Sequence, residues 1–238
     1  MKAIRFLTIF LFAASLLATH AAEPLRVFIR GGAKTHGPAD NRIHDHPRFL
    51  GDATRLLGDR GVTVDGGMEF PSADQLAKTD VLVIYAADGM KIEGEQRAYF
   101  EKFLQRGGGV VVIHDGVVSG QGSENPDWTK QIIGGAWRWD RPEGQRTKWY
   151  EGEVGIYFVN PEHPIVKGMS NFDWKDEIYY DLDMAPDVTV LATSFHSVFI
   201  IAPQVWTYEK TLAGGSTPYR AFVSLPGHEY DSFEAPHY

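Results

Sequence analysis

The stretch Gly107-Gly-Gly-Val-Val-Val-Ile-His-Asp-Gly116 constrains this chain more than any other. A helix-patterned segment runs into three glycines, an unbroken apolar run follows from Val110 to Ile113, and apolar character stops at His114-Asp115-Gly116. An apolar run without alternation marks a strand buried on both faces, as in a parallel sheet covered by helices. Open sheets of that kind bind ligands just outside the carboxyl ends of their strands, which is where His114 and Asp115 fall. The alternative is a hydrogen-bonded histidine that only closes the strand.

The flanking segments repeat this logic. Residues 25–30 read as a first strand, and the polar loop at 33–47 holds His36, His44 and His46. Phe49, Leu50, Ala53, Leu56 and Leu57 recur at helical spacing, residues 62–64 form a short strand, and Ser72 caps a brief helix. Residues 80–85 are a second buried-strand run, exiting into Ala86-Ala-Asp-Gly89. Residues 93–106 give the best-patterned helix, with Tyr99, Phe100, Phe103 and Leu104 on one face. Strand–helix–strand alternation implies parallel strands joined by right-handed crossovers. The second half is richer in strands, at 151–159, 176–183, 188–192, 203–208 and 220–225, after one helix at 127–133. The expected fold is one α/β domain over residues 23–238, with a mostly parallel sheet and helices on both faces.

The first 22 residues stand apart. A basic start with Lys2 and Arg5, an apolar run from Phe6 to Ala18, and the small residues Ala21 and Ala22 have the order of a secretory signal. The chain is therefore expected to be exported, to a periplasm or the extracellular space, and to begin near Glu23. The apolar run falls short of the roughly 20 residues that span a bilayer, and no later segment reaches that length. At the other end, residues 231–238 read as the start of a helix, so the domain is expected to continue into a covering helix.

Charge and composition narrow the partners. A formal charge of −8 opposes binding to nucleic acid, which needs clustered Lys and Arg, and opposes anionic membrane surfaces. The sequence has no Cys, so it has neither disulfides nor a thiol nucleophile. Six Trp and an aromatic content of 13% suit a site for a small-molecule saccharide, with Trp137, Trp139, Tyr179 and Trp206 as candidate stacking platforms, although cores use such rings more often. Self-association is left open.

Three constellations carry chemistry. His114-Asp115 and Gly227-His228-Glu229 both follow apolar runs, and their exits share one sheet edge if the strands point the same way. A carboxylate beside an imidazole fixes its tautomer and raises its basicity. Glu177 and Tyr179 alternate onto one face of a strand, where they grip sugar hydroxyls or merely decorate a solvated edge. His44-x-His46 offers two zinc ligands if a third arrives from elsewhere. No Gly-x-Ser-x-Gly elbow, phosphate loop or dinucleotide fingerprint is present.

Seven segments resemble, in order, the trehalose-utilisation or ThuA-like family: His44-Asp-His-Pro-Arg-Phe49, Gly107-Gly-Gly-Val-Val-Val-Ile-His114, Ile133-Gly-Gly135, His163-Pro-Ile-Val-Lys-Gly168, Asp176-Glu-Ile-Tyr179, Val205-Trp-Thr207 and Leu225-Pro-Gly-His228. The resemblance implies a flavodoxin-like doubly wound sheet similar to the class I glutamine amidotransferases. Their catalytic cysteine turn here reads Ile113-His114-Asp115, which excludes thioester chemistry and a glutaminase. The family is associated with disaccharides and their keto derivatives. On that footing His114 is the expected general base, Asp115 or Glu177 its partner and His228 a second acid/base. His36, His44, Tyr179, Trp206 and Trp137 are then expected against the sugar. A non-catalytic carbohydrate-binding domain and a metal-dependent hydrolase using a divalent ion such as zinc are the alternatives.

Overall fold

The computed structural model describes residues 23–120, 125–196 and 200–235; the export signal expected at residues 1–22 lies outside them. The described elements are β1 (Arg26–Gly31), α1 (His46–Gly58), β2 (Thr63–Gly67), α2 (Ala73–Ala77), β3 (Val81–Tyr85), α3 (Gly94–Gln105), β4 (Gly109–Ile113), α4 (Pro126–Ile133), β5 (Gly135–Ala136), β6 (Lys148–Phe158), β7 (Phe172–Tyr180), β8 (Asp183–Met184), β9 (Thr189–His196), β10 (Ile200–Lys210), β11 (Tyr219–Ser224) and α5 (Asp231–Glu234). No described helix is long and apolar enough to cross a membrane.

One nine-stranded sheet organises them, in the order β2-β1-β3-β4-β11-β10-β9-β6-β7. The first five strands pair in parallel and reproduce the 2-1-3-4-5 order of flavodoxin-like folds. The runs read as doubly buried are its centre: Leu82, Ile84, Val110 and Val112 pack on one face, and Val27, Ile29, Val83, Tyr85 and Ile113 on the other. Phe100, Phe103 and Leu104 of α3 cover the first face, while Phe49, Leu50, Ala53 and Leu57 of α1 cover the second. The sequence did not specify what lies beyond β11. There β10, β9, β6 and β7 continue the sheet in antiparallel pairs, and β7 curls back to touch β10. The Gln204 amide ties that closure by donating to the Tyr179 carbonyl at 2.8 Å.

This curl changes the meaning of β7. It is the last strand of the sheet, yet Asp176, Glu177, Ile178 and Tyr179 are all buried. The reading of this segment as a solvated edge is therefore incorrect; the rolled antiparallel half carries it over the carboxyl ends of the parallel strands.

Two backbone approaches fix those strand ends. A side chain at Gly89, after β3, would lie 2.7 Å from the Gly116 Cα, so only paired glycines let the β3 and β4 exits touch. Gly227 holds φ +135, a conformation closed to most residues, and turns the chain so that His228 follows β11 into the site.

Candidate active site

The carboxyl edge of the parallel strands collects the polar residues. The loop after β1 brings His36 and His44, the turn after β4 brings His114 and Asp115, the turn after β11 brings His228, and β7 supplies Glu177 and Tyr179. The first and third of these loops pair: the His44 amide donates to the His228 carbonyl at 2.9 Å, and Ile43 bridges Glu229. Asp176, 1% exposed, anchors the His228 turn. Its carboxylate accepts from the amides of Gly227 (2.8 Å) and Glu229 (3.1 Å) and from the Ser232 hydroxyl (2.6 Å).

Local strain concentrates here. His36, His44, Asp88 and His114 all have positive φ, four of the six non-glycine residues in that region among those described. Each such residue costs about 1–3 kcal/mol and persists where the surrounding structure overdetermines it, often at functional sites.

At the centre lie His44, His114, His228 and Glu177. His44 Nε2 is 3.0 Å from His114 Nε2 and 3.0 Å from His228 Nδ1. Glu177 Oε2 is 3.3 Å from His114 Nε2 and 2.9 Å from His228 Nδ1. The Tyr179 hydroxyl reaches His114 Nε2 at 3.0 Å, and its ring stacks on the imidazole. Behind them His114 Nδ1 donates to the Leu225 carbonyl at 2.7 Å. Asp115 sets one oxygen 3.2 Å from His46 Nε2 and the other 3.3 Å from His44 Nδ1.

Burial and mutual charge polarise these groups. Burial, reinforced by the surrounding imidazoles, holds His44 far below the usual histidine range. Burial also opposes charge on His114, but its hydrogen bond to Glu177 and the nearby carboxylates win and raise it. Burial would raise Glu177 as well; hydrogen bonds from His114 and His228 outweigh it and push the carboxyl down to about 2. Burial, with Glu177 and other carboxylates nearby, raises Tyr179 well above the usual tyrosine value, so its hydroxyl stays protonated.

Over this cluster opens a cleft of about 540 Å³, walled by Thr35, His36, Asp88, Trp137, Trp139, Trp149 and Glu151, with His44, Asp115, Glu177, Tyr179 and His228 also lining it. A larger hollow, about 750 Å³, lies at the opposite ends of the strands around Asp80, Gly109 and Arg220, away from the cluster.

The structure therefore brings together His36, His44, His114, Asp115, Trp137, Glu177, Tyr179 and His228. It corrects three assignments. Trp206 is wholly buried, and its indole N–H donates to the Ile133 carbonyl at 2.7 Å; it is a core residue under α4. His114 is also wholly buried and lies beneath the cleft, so it cannot itself touch a substrate as general base. Asp115 faces His44 and His46 rather than His114. His46 turns inward, donating through Nδ1 to the Ala33 carbonyl at 2.9 Å, and its Nε2 meets His44 at the Asp115 carboxylate, which stands as the third group the His44-x-His46 pair required. Sequence reasoning missed Asp88, Glu151 and Trp149 on the walls; only the exit position of Asp88, after β3, gave a signal.

The sequence profile of the trehalose-utilisation family, ThuA, matches residues 49–238. The chain belongs to the ThuA family. That membership places it in trehalose utilisation and carbohydrate metabolism at the family level. Among solved structures, a putative ThuA-like protein from Bacteroides uniformis is 18% identical over 93% of this chain and 89% of its own, with a TM-score of 0.65. The cytoplasmic protein STM1381 from Salmonella typhimurium is 17% identical over 90% and 94%, with a TM-score of 0.58. The β-galactosidase of Rahnella sp. R3 is 14% identical over 89% of this chain and 31% of its own, with a TM-score of 0.56. These likenesses show the shared fold. A comparison with curated proteins gave no match.

Proposed function

We propose that this ThuA-family protein is an enzyme that converts a saccharide or disaccharide bearing a keto group, with the cleft above His44, Glu177 and His228 as its active site. One observation carries the reading: oxygen-binding and proton-exchanging side chains converge at the floor of a Trp-walled cleft, at the edge where α/β sheets bind ligands. Aromatic walls take the apolar faces of a sugar, and the floor takes its oxygens.

The chemistry that fits is proton abstraction next to the keto group, or addition of water. A keto oxygen seated against the imidazole floor is polarised, which acidifies the neighbouring C–H. His36 suits the proton transfer. It is exposed at the cleft mouth, with its ring centroid 4.3 Å from that of His44 and 6.0 Å from that of His228. The Thr35 hydroxyl links it to the floor, 3.0 Å from His36 Nδ1 and 2.8 Å from His44 Nδ1. His114 and Asp115 then position the floor from behind.

The test is turnover of a keto-disaccharide beside its unoxidised parent. The wild type is expected to convert the keto form, and His36→Ala to lose about 10²-fold or more in kcat with sugar affinity retained. Tight binding with no conversion of any keto-saccharide would instead make the chain a carbohydrate-binding domain. The order of residues 1–22 supports action after export; sequencing of exported protein should start near Glu23, and an intact Met1 would overturn that part.

A further inference from the structure

We infer that His44, His114, His228 and Glu177 hold one divalent first-row transition-metal ion at the floor of the cleft. The inference deepens the reading of the cleft as an active site and rests on that reading only for the use made of the ion.

The argument begins with tautomers. His114 Nδ1 sits 2.7 Å from the Leu225 carbonyl, which only accepts, so the neutral ring carries its proton on Nδ1 and turns its Nε2 lone pair into the cluster. His44 Nδ1 lies 2.8 Å from the Thr35 hydroxyl and 3.3 Å from the Asp115 carboxylate. The Thr35 hydroxyl can accept from Nδ1 or donate to it; with the proton on Nδ1, the His44 Nε2 lone pair points the same way. The two lone pairs then face each other across 3.0 Å, with His228 Nδ1 3.0 Å from one of them and Glu177 Oε2 3.3 Å from the other. Three imidazole nitrogens and a carboxylate oxygen this close around one point need protons or a cation among them.

The spacing suits an ion better than a single proton. All four donor atoms lie within 4.8 Å of one another, and the contacts given above run from 2.9 to 3.3 Å. Metal–nitrogen bonds of about 2.0–2.1 Å space neighbouring ligands roughly 2.9–3.4 Å apart. A proton joins two of these atoms; an ion joins all four.

The surroundings have the remaining parts of such a site. Metal-bound histidines give their other N–H to a carboxylate or a backbone carbonyl; the Leu225 carbonyl stands there behind His114, and the Asp115 carboxylate lies 3.3 Å from Nδ1 of His44. His44, Glu177 and His228 line the cleft, so one side faces incoming ligand. Three imidazoles with one carboxylate suit zinc, manganese, iron or nickel rather than calcium or magnesium. A second triad, His44, His46 and Asp115, offers three donors against the four of the first group. An ion on the floor acts as a Lewis acid toward a sugar oxygen.

The test uses the purified full chain, stripped with a chelator and titrated with Zn²⁺ and with Mn²⁺ by calorimetry and elemental analysis. The expected result is one equivalent of at least one of the two metals per chain and a melting temperature that rises with metal concentration. Glu177→Gln and His228→Ala should abolish stoichiometric binding, and Asp115→Asn should weaken it by about 10–100-fold. His36→Ala should bind as the wild type. Where a variant fails to fold, the visible absorption of Co²⁺-loaded wild type reports nitrogen and oxygen ligation without any substitution. Failure of the stripped wild type to take up either metal, absence of that Co²⁺ band, or unchanged binding by folded Glu177→Gln and His228→Ala overturns the inference. A stripped protein that still converts a keto-saccharide at full rate removes the metal and leaves the proposed function. A metal bound at these residues with no such conversion leaves the metal and removes the function.

Discussion

His44 and His114 meet Nε2 to Nε2 at 3.0 Å, although 70 residues separate them in the chain. Each has its far nitrogen occupied, by the Thr35 hydroxyl in one case and by the Leu225 carbonyl in the other. The left-handed backbone at both residues, φ 45 and φ 47, aims the rings at one another. Neither imidazole can turn away without leaving a buried polar group unpaired, which costs about 1–3 kcal/mol.

The pair should therefore act as one unit. In a double-mutant cycle, His44→Ala and His114→Ala are expected to lower kcat/KM by similar amounts, and the double variant by little more than either alone. A coupling on the order of 1–3 kcal/mol is the expected reading for residues in contact. Additive losses would show that the two histidines serve the reaction separately.

Gly116 holds the β4 exit against the β3 exit. A side chain there would meet the Ile84 carbonyl at 2.9 Å and Val112 Cγ1 at 3.0 Å. Gly116→Ala is expected to destabilise the protein by about 1–3 kcal/mol through overpacking and to lower kcat, because the turn that moves carries His114 and Asp115. Urea unfolding and steady-state kinetics check both; a shift in stability with unaltered kcat would separate the turn from the site.

Much of this geometry was legible from strand exits. His114 and His228 each follow an apolar run, and parallel strands necessarily place such exits on one edge. Their ring centroids lie 5.4 Å apart. The antiparallel half was less readable, because alternation in β6 and β7 reports which faces are buried but not that the sheet rolls up. That curl is why Glu177 and Tyr179 stand at the centre of the cluster rather than at a wet edge. Trp206 misled because an aromatic residue in a strand looks alike whether it faces a ligand or a helix. His44 was visible as a loop histidine, yet its aim depends on a positive φ that the sequence alone does not reveal.

Trp149 lines the cleft and is 58% exposed, so its ring is available to a sugar face without supporting the core. Trp149→Ala is expected to raise KM by roughly threefold to tenfold, the scale of one lost ring contact, with kcat and melting temperature unchanged. Trp137, 4% exposed and edge-on to Tyr179 at 4.7 Å, should behave differently, losing stability as well as affinity when truncated. Equal behaviour of the two variants would mean that the wall is structural throughout.

The acid side of the stability profile should report Glu177. Its carboxyl is pushed from an ordinary value of 4.5 down to about 2 by hydrogen bonds from His114 and His228, against the opposing effect of burial. A folded-state value below the unfolded one means that the native state binds fewer protons across that interval, so stability falls as pH falls. The contribution is fully present above pH 4.5, declines below it, and is lost once the pH passes through about 2. Glu177→Gln carries no titrating proton and should flatten this part of the profile for the metal-free protein, while lying below the wild type at neutral pH. Unfolding free energies measured in urea from pH 6 downward give both curves. Parallel curves would mean that other carboxylates govern the acid transition, and that the imidazoles around Glu177 do not hold it ionised.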